Sequence, residues 1–139
     1  MRNSTGIEVV PTGPVVGAEI RGVDLAAPLA AAEVETIRRT LFDRGVVFFR
    51  DQMISPEQHI AFAERFAPIN VNRFFKAVPD HPRIAEVRKE PEQAKNIGGG
   101  WHTDHSYDQI PALGSVLLAR ELPESGGDTL FASMYAAWD

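Results

Sequence analysis

Gly100-Trp101-His102-Thr103-Asp104-His105 is the stretch on which the reading of this chain turns. In an extended strand, residues i and i+2 project from the same face with Cα atoms about 6.5 Å apart, so His102 and Asp104 point an imidazole and a carboxylate the same way. A neutral nitrogen beside a hard oxygen suits Fe(II), Mn(II) or Zn(II), and one further histidine would complete a two-histidine, one-carboxylate facial set. Taken alone, a His-x-Asp triplet fits a surface loop or an ordinary strand as well.

The flanking sequence is more specific. After the triplet come Ser106-Tyr107, Pro111-Ala-Leu-Gly114, Leu122-Pro123, Gly126-Gly-Asp-Thr-Leu-Phe131 and Ala132-Ser-Met-Tyr-Ala-Ala-Trp-Asp139. Before it stand Gly17-Ala-Glu-Ile-Arg-Gly-Val-Asp-Leu25 and Gly45-Val-Val-Phe-Phe-Arg-Asp51. In this order, from about Ile7 to Asp139, these segments closely resemble the TauD/TfdA family of Fe(II)- and 2-oxoglutarate-dependent dioxygenases. The resemblance implies a double-stranded β-helix, or jelly roll, with flanking helices, and a reaction in which O2 and 2-oxoglutarate are consumed, a small organic acid, sulfonate or related compound is hydroxylated, and succinate and CO2 are released. It implies His102 and Asp104 as iron ligands. Thr129 of the Gly-Gly-Asp-Thr motif matches the position whose hydroxyl bonds a 2-oxoglutarate carboxylate, a task a neutral donor suits. Asn72, Arg73, Phe74 and Asn96 fall in the loops that approach the prime substrate. Taurine-oxidising members carry a histidine in the first of these loops. None stands between Asn70 and Ala77, so the resemblance does not imply taurine. The family's second iron-binding histidine and its 2-oxoglutarate arginine come well downstream of Gly-Gly-Asp-Thr. Residues 1–139 are therefore expected to form the N-terminal part of one such domain, a truncated chain inactive by itself.

Composition narrows the partners. Fourteen basic residues against 19 acidic ones give a net charge of −5, with neither sign gathered into a block, so no nucleic-acid footprint is expected. The absence of cysteine excludes disulfides and thiolate metal sites. Met1 to Glu8 lacks the apolar core of a signal peptide, and no apolar run nears the ~18 residues of a membrane span. A cytoplasmic protein acting on a small molecule is the expectation, with homo-oligomerisation left open.

Local patterns place the elements. Ile7–Pro11 and Ala18–Leu25 read as strands about the turn at Thr12-Gly-Pro14. Val34, Ile37 and Leu41 mark the apolar side of a helix over Ala31–Arg44, with Gly45 as its left-handed cap. Val46–Phe49 reads as a strand buried on both faces. Ser55, Pro56 and Gln58 open a second helix with a capping box, its apolar side being Ile60, Ala63 and Phe66, and Pro68 ends it. Asn70 to Gly100 reads as long loops around a strand at Arg83–Arg88, with Gly98-Gly-Gly100 as hinge or plain connection. Gly114–Arg120 and Asp128–Phe131 read as strands, and Ser133–Asp139 as the start of a helix. His59 reads as an ordinary helix residue and His81 as a loop residue. His105, facing away from the pair on a strand, has a packing or supporting role, and Trp101 either walls the site or fills the core. Two competing readings remain: an inert fragment or half of a split enzyme, and a non-oxygenase metal-binding jelly roll.

Overall fold

A computed structural model describes residues 6–138; Met1–Thr5, part of the segment read for a signal peptide, and Asp139, the expected end of the last helix, lie outside the described residues. The elements are mixed α and β, arranged in two compact units, residues 1–58 with 118–139 and residues 59–117.

In the first unit, β1 (Glu8–Pro11) and β2 (Ala18–Arg21) pair antiparallel with Val9 opposite Ile20, and β2 pairs parallel with β3 (Val47–Phe48). The chain passes from β2 to β3 through α1 (Ala31–Arg44), which supplies the crossover a parallel pair requires. Ile7, Ala18, Ile20, Leu25, Val34, Ile37 and Ile54 form the core. Val34 and Ile37 are buried as the spacing predicts. The third buried position of α1 is Thr40, not Leu41, and its hydroxyl is satisfied by the Thr36 carbonyl at 2.8 Å. Ala30 at the N-cap has no side-chain acceptor, so only the reciprocal half of a capping box exists, Glu33 Oε2 accepting the Ala30 N–H at 2.7 Å. At the other end Gly45 adopts φ 71° and donates its N–H to Leu41 at 2.7 Å, a conformation that a Cβ disfavours. β3 is shorter than expected and half-buried.

A glutamine fixes the return from the sheet. Gln52 accepts the Leu25 N–H at 2.8 Å and donates to the Arg50 carbonyl at 2.9 Å. Helix α2 (Pro56–Glu64) opens with the predicted capping box, Ser55 N–H donating to Gln58 Oε1 at 2.7 Å and Gln58 N–H to Ser55 Oγ at 3.2 Å. Phe62 is its buried residue, where Ile60, Ala63 and Phe66 were expected, and Phe66 meets the Phe62 ring edge-on at 5.1 Å. The second unit continues with the hairpin β4 (Lys76–Val78) and β5 (His81–Glu86), turned at Asp80, whose φ is 62°. β5 thus starts before the expected Arg83 and includes His81. Arg83 pairs with Glu64 of α2.

Two expectations fail. Gly114–Arg120 and Asp128–Phe131 lie outside every described strand, because a strand-like composition needs a neighbouring chain to form a ladder. The last helix, α3 (Met134–Trp138), forms, capped by Ser133 Oγ accepting the Ala136 N–H at 3.3 Å; its Met134, Tyr135 and Trp138 are exposed. No described helix is long and apolar enough to cross a membrane.

Candidate metal centre

His102 and Asp104 belong to the second unit, on irregular chain and not on a strand. They nevertheless converge: His102 Nε2 lies 3.3 Å from Asp104 Oδ1. His102 Nδ1 is 2.7 Å from the Gly100 carbonyl oxygen, which can only accept, so Nδ1 is the donor there and Nε2 is the nitrogen turned toward Asp104. An imidazole nitrogen and a carboxylate oxygen facing each other at this distance can share a proton or a cation. Two ligand atoms each about 2.1 Å from one ion, at right angles, stand about 3.0 Å apart, so the pair fits a single first-row divalent ion. Bonding of the far imidazole nitrogen to a carbonyl is the usual support of a metal-binding histidine.

Two neighbours hold the pair. The Ser115 hydroxyl donates to Asp104 Oδ2 at 3.4 Å, leaving Oδ1 for His102. Gly98, at φ +68°, lies so close to the imidazole that a Cβ there would stand 3.3 Å from His102 Cε1. Neither was singled out as a supporting residue from sequence, since nothing in local spacing places Ser115 beside Asp104 or Gly98 beside a ring. Among the described residues no group of three or more His, Asp or Glu forms around one point.

His105 is directed elsewhere. It has φ 51°, donates from Nδ1 to Asp108 Oδ2 at 3.2 Å, and its ring lies 5.8 Å from both Phe74 and Tyr107. Asp108 Oδ1 accepts from Arg73 at 2.9 Å. Arg73, His105 and Asp108, with Asn70, Val71 and Ile110, line a shallow polar recess. Asn72 Oδ1 accepts the Phe74 and Phe75 N–H groups at 2.8 and 3.1 Å, shaping the loop from within, and Asn96 accepts from Lys89 Nζ at 2.6 Å. The structure thus joins Arg73 and Phe74 to the His105–Asp108 segment and leaves Asn96 with Lys89. Trp101 is 74% exposed and is no core residue. Thr129 belongs to the first unit, on exposed irregular chain. In that unit, on β2, the Arg21 guanidinium bonds Glu19 at 2.9 Å and, with Arg50 at 3.7 Å adding to it, holds the glutamate's pKa below its ordinary value against the opposing effect of burial.

Residues 8–139 match the family model described as taurine catabolism dioxygenase TauD, TfdA family. The alpha-ketoglutarate-dependent 2,4-dichlorophenoxyacetate dioxygenase of Cupriavidus pinatubonensis is 35% identical over 93% of this chain and 50% of its own length. The alpha-ketoglutarate-dependent sulfate ester dioxygenase of Pseudomonas putida is 32% identical over 95% of this chain and 43% of its own length. A crystal structure from Burkholderia xenovorans, provisionally described as an alpha-ketoglutarate-dependent taurine dioxygenase, superposes with a TM-score of 0.62 at 39% identity, covering 72% of this chain and 36% of that one. The chain spans about half the length of the curated relatives it matches. With its motifs in family order and the family model matched from residue 8 to residue 139, the chain belongs to the TauD/TfdA family.

Proposed function

We propose that the protein works as an Fe(II)- and 2-oxoglutarate-dependent dioxygenase in the cytoplasm, on a double-stranded β-helix of which residues 1–139 are the N-terminal part of one domain. The observation that carries this reading is the convergence of His102 Nε2 and Asp104 Oδ1 at 3.3 Å with the imidazole tautomer set by Gly100. Fe(II), when bound there, supplies with O2 and 2-oxoglutarate the oxidising power to hydroxylate a C–H bond. The protein's residues position and select. The Gly100 carbonyl keeps the proton on Nδ1, and Ser115 engages Oδ2 of Asp104, so that Oδ1 would be the oxygen left to hold the ion. Thr129 is proposed to donate its hydroxyl to a 2-oxoglutarate carboxylate.

Asn72, Arg73, Phe74 and Asn96 are proposed to meet the prime substrate. Arg73 would meet an anion, but Asp108 already bonds it, so its charge is partly balanced before any substrate arrives. A small acid, sulfonate or sulfate ester is the proposed substrate class, supported by relatives named for a phenoxyacetate and a sulfate ester.

The test is succinate formation from 2-oxoglutarate by the whole domain of which residues 1–139 are proposed to be the N-terminal part, with Fe(II), ascorbate and O2, across a panel of small carboxylates, sulfonates and sulfate esters. Iron-dependent succinate, stimulated by one class and abolished in His102→Ala, is expected. Turnover of the panel without O2 or 2-oxoglutarate would contradict the proposal.

A further inference from the structure

We infer that His59, on α2, is a positioning residue for the Asp104 carboxylate, acting through the segment Ser115–Val116. The inference rests on reading His102 and Asp104 as the metal pair. His59 Nε2 lies 3.1 Å from the Val116 carbonyl oxygen, which can only accept, so His59 is the donor of a bond that spans 57 residues of sequence. The next residue back, Ser115, donates to Asp104 Oδ2 at 3.4 Å. His59, Val116, Ser115 and Asp104 all lie in the second unit.

The surroundings give the contact its weight. Ala112–Leu117 belongs to no helix or strand, so no ladder sets the position of the Ser115 hydroxyl. α2, by contrast, is a regular helix with a capped start, tied near its end to β5 by the Glu64–Arg83 pair. A segment with no ladder of its own takes its position from its points of attachment, and the His59 bond is one of them. That point is one residue from the hydroxyl that decides which carboxylate oxygen turns toward His102. Without it, Ser115 drifts, Asp104 rotates freely about its terminal torsion, and both oxygens compete for solvent and metal. His59 touches neither the ion nor any reacting atom, so its effect falls on the ordering of a ligand.

Mn(II) affinity, followed by loss of the free-ion EPR signal, reads this ordering without turnover. His59→Leu keeps the bulk and removes the donor; His59→Gln keeps a donor. The expected result is Mn(II) binding weakened about tenfold in His59→Leu and in Ser115→Ala, about tenfold and no more in the double variant, and close to wild type in His59→Gln. Thermal midpoints are measured alongside, and His59→Phe replaces the leucine variant if that does not melt cooperatively. Wild-type affinity in both donor-free variants, or losses that multiply in the double variant, would overturn the inference while His102→Ala still weakened binding. Unchanged affinity in His102→Ala would instead bring down the metal pair itself, and the inference with it.

Discussion

Gly98→Ala separates a glycine packed against His102, the proposed ligand, from glycines that merely connect. Gly98 has φ +68°, a conformation that costs a residue with a Cβ about 1–2 kcal/mol. The added methyl would also stand 3.3 Å from His102 Cε1 and 3.9 Å from Nε2, the atom turned toward Asp104. The ring must give by a few tenths of an ångström or the loop must leave its conformation, and either moves Nε2. A penalty of about 1–2 kcal/mol set against ligand presentation corresponds to roughly 5- to 30-fold weaker metal binding. Gly100→Ala is the control, since a Cβ there meets nothing within 4 Å and its φ is not in the left-handed region. The assay is competition for Fe(II) with a fluorescent chelator under nitrogen, with thermal melts to confirm folding. Equal affinities for Gly98→Ala and Gly100→Ala would refute the argument that Gly98 packs against the ligand.

Three other outcomes are expected. Thr129→Val, nearly isosteric but without the hydroxyl, raises the KM for 2-oxoglutarate roughly 10- to 100-fold, because one hydrogen bond to a charged group is worth about 1.5–3 kcal/mol; an unchanged KM would remove Thr129 from the cosubstrate site. Ile37→Ala, truncating a side chain only 1% exposed against the sheet, costs about 2–5 kcal/mol in urea denaturation, whereas Met53→Ala, 89% exposed, shifts the midpoint little. Glu19 is held below its ordinary pKa chiefly by its hydrogen bond from Arg21. Its stabilising contribution is therefore complete above the unfolded-state pKa and lost as pH falls through the lowered folded value. Glu19→Gln should flatten the acid limb of the stability profile and leave the neutral region's slope unchanged; a wild-type acid limb would count against the pairing.

What the sequence discloses here is what short-range chemistry decides. Ser55 and Gln58 announce their capping box because both partners lie within one turn, and Gly45 announces a helix end because the left-handed cap needs no distant partner. His102 and Asp104 are legible for the same reason, and they converge on irregular chain although their i, i+2 spacing suits a strand. Most of the failures are long-range. The apolar runs within Gly114–Arg120 and Asp128–Phe131 read as strands, but no chain lies alongside among the described residues to make the ladder. Thr40 takes the place of Leu41 because its hydroxyl bonds back to Thr36 and ceases to be polar in effect. His59 shows no ligand partner at i+3 or i+4, and its significance lies 57 residues away. Asp108 is unremarkable in sequence until folding brings Arg73 to one oxygen and His105 to the other.

The central claim is that His102 and Asp104, and not His105, present ligand atoms to one divalent ion. Anaerobic calorimetric titration of Fe(II) into the protein and into His102→Ala, Asp104→Ala and His105→Ala tests it most directly. A steep loss of affinity is expected in the first two variants and a small change in the third, whose imidazole is engaged by Asp108. The greatest loss in His105→Ala, or undiminished binding in His102→Ala and Asp104→Ala, would contradict it.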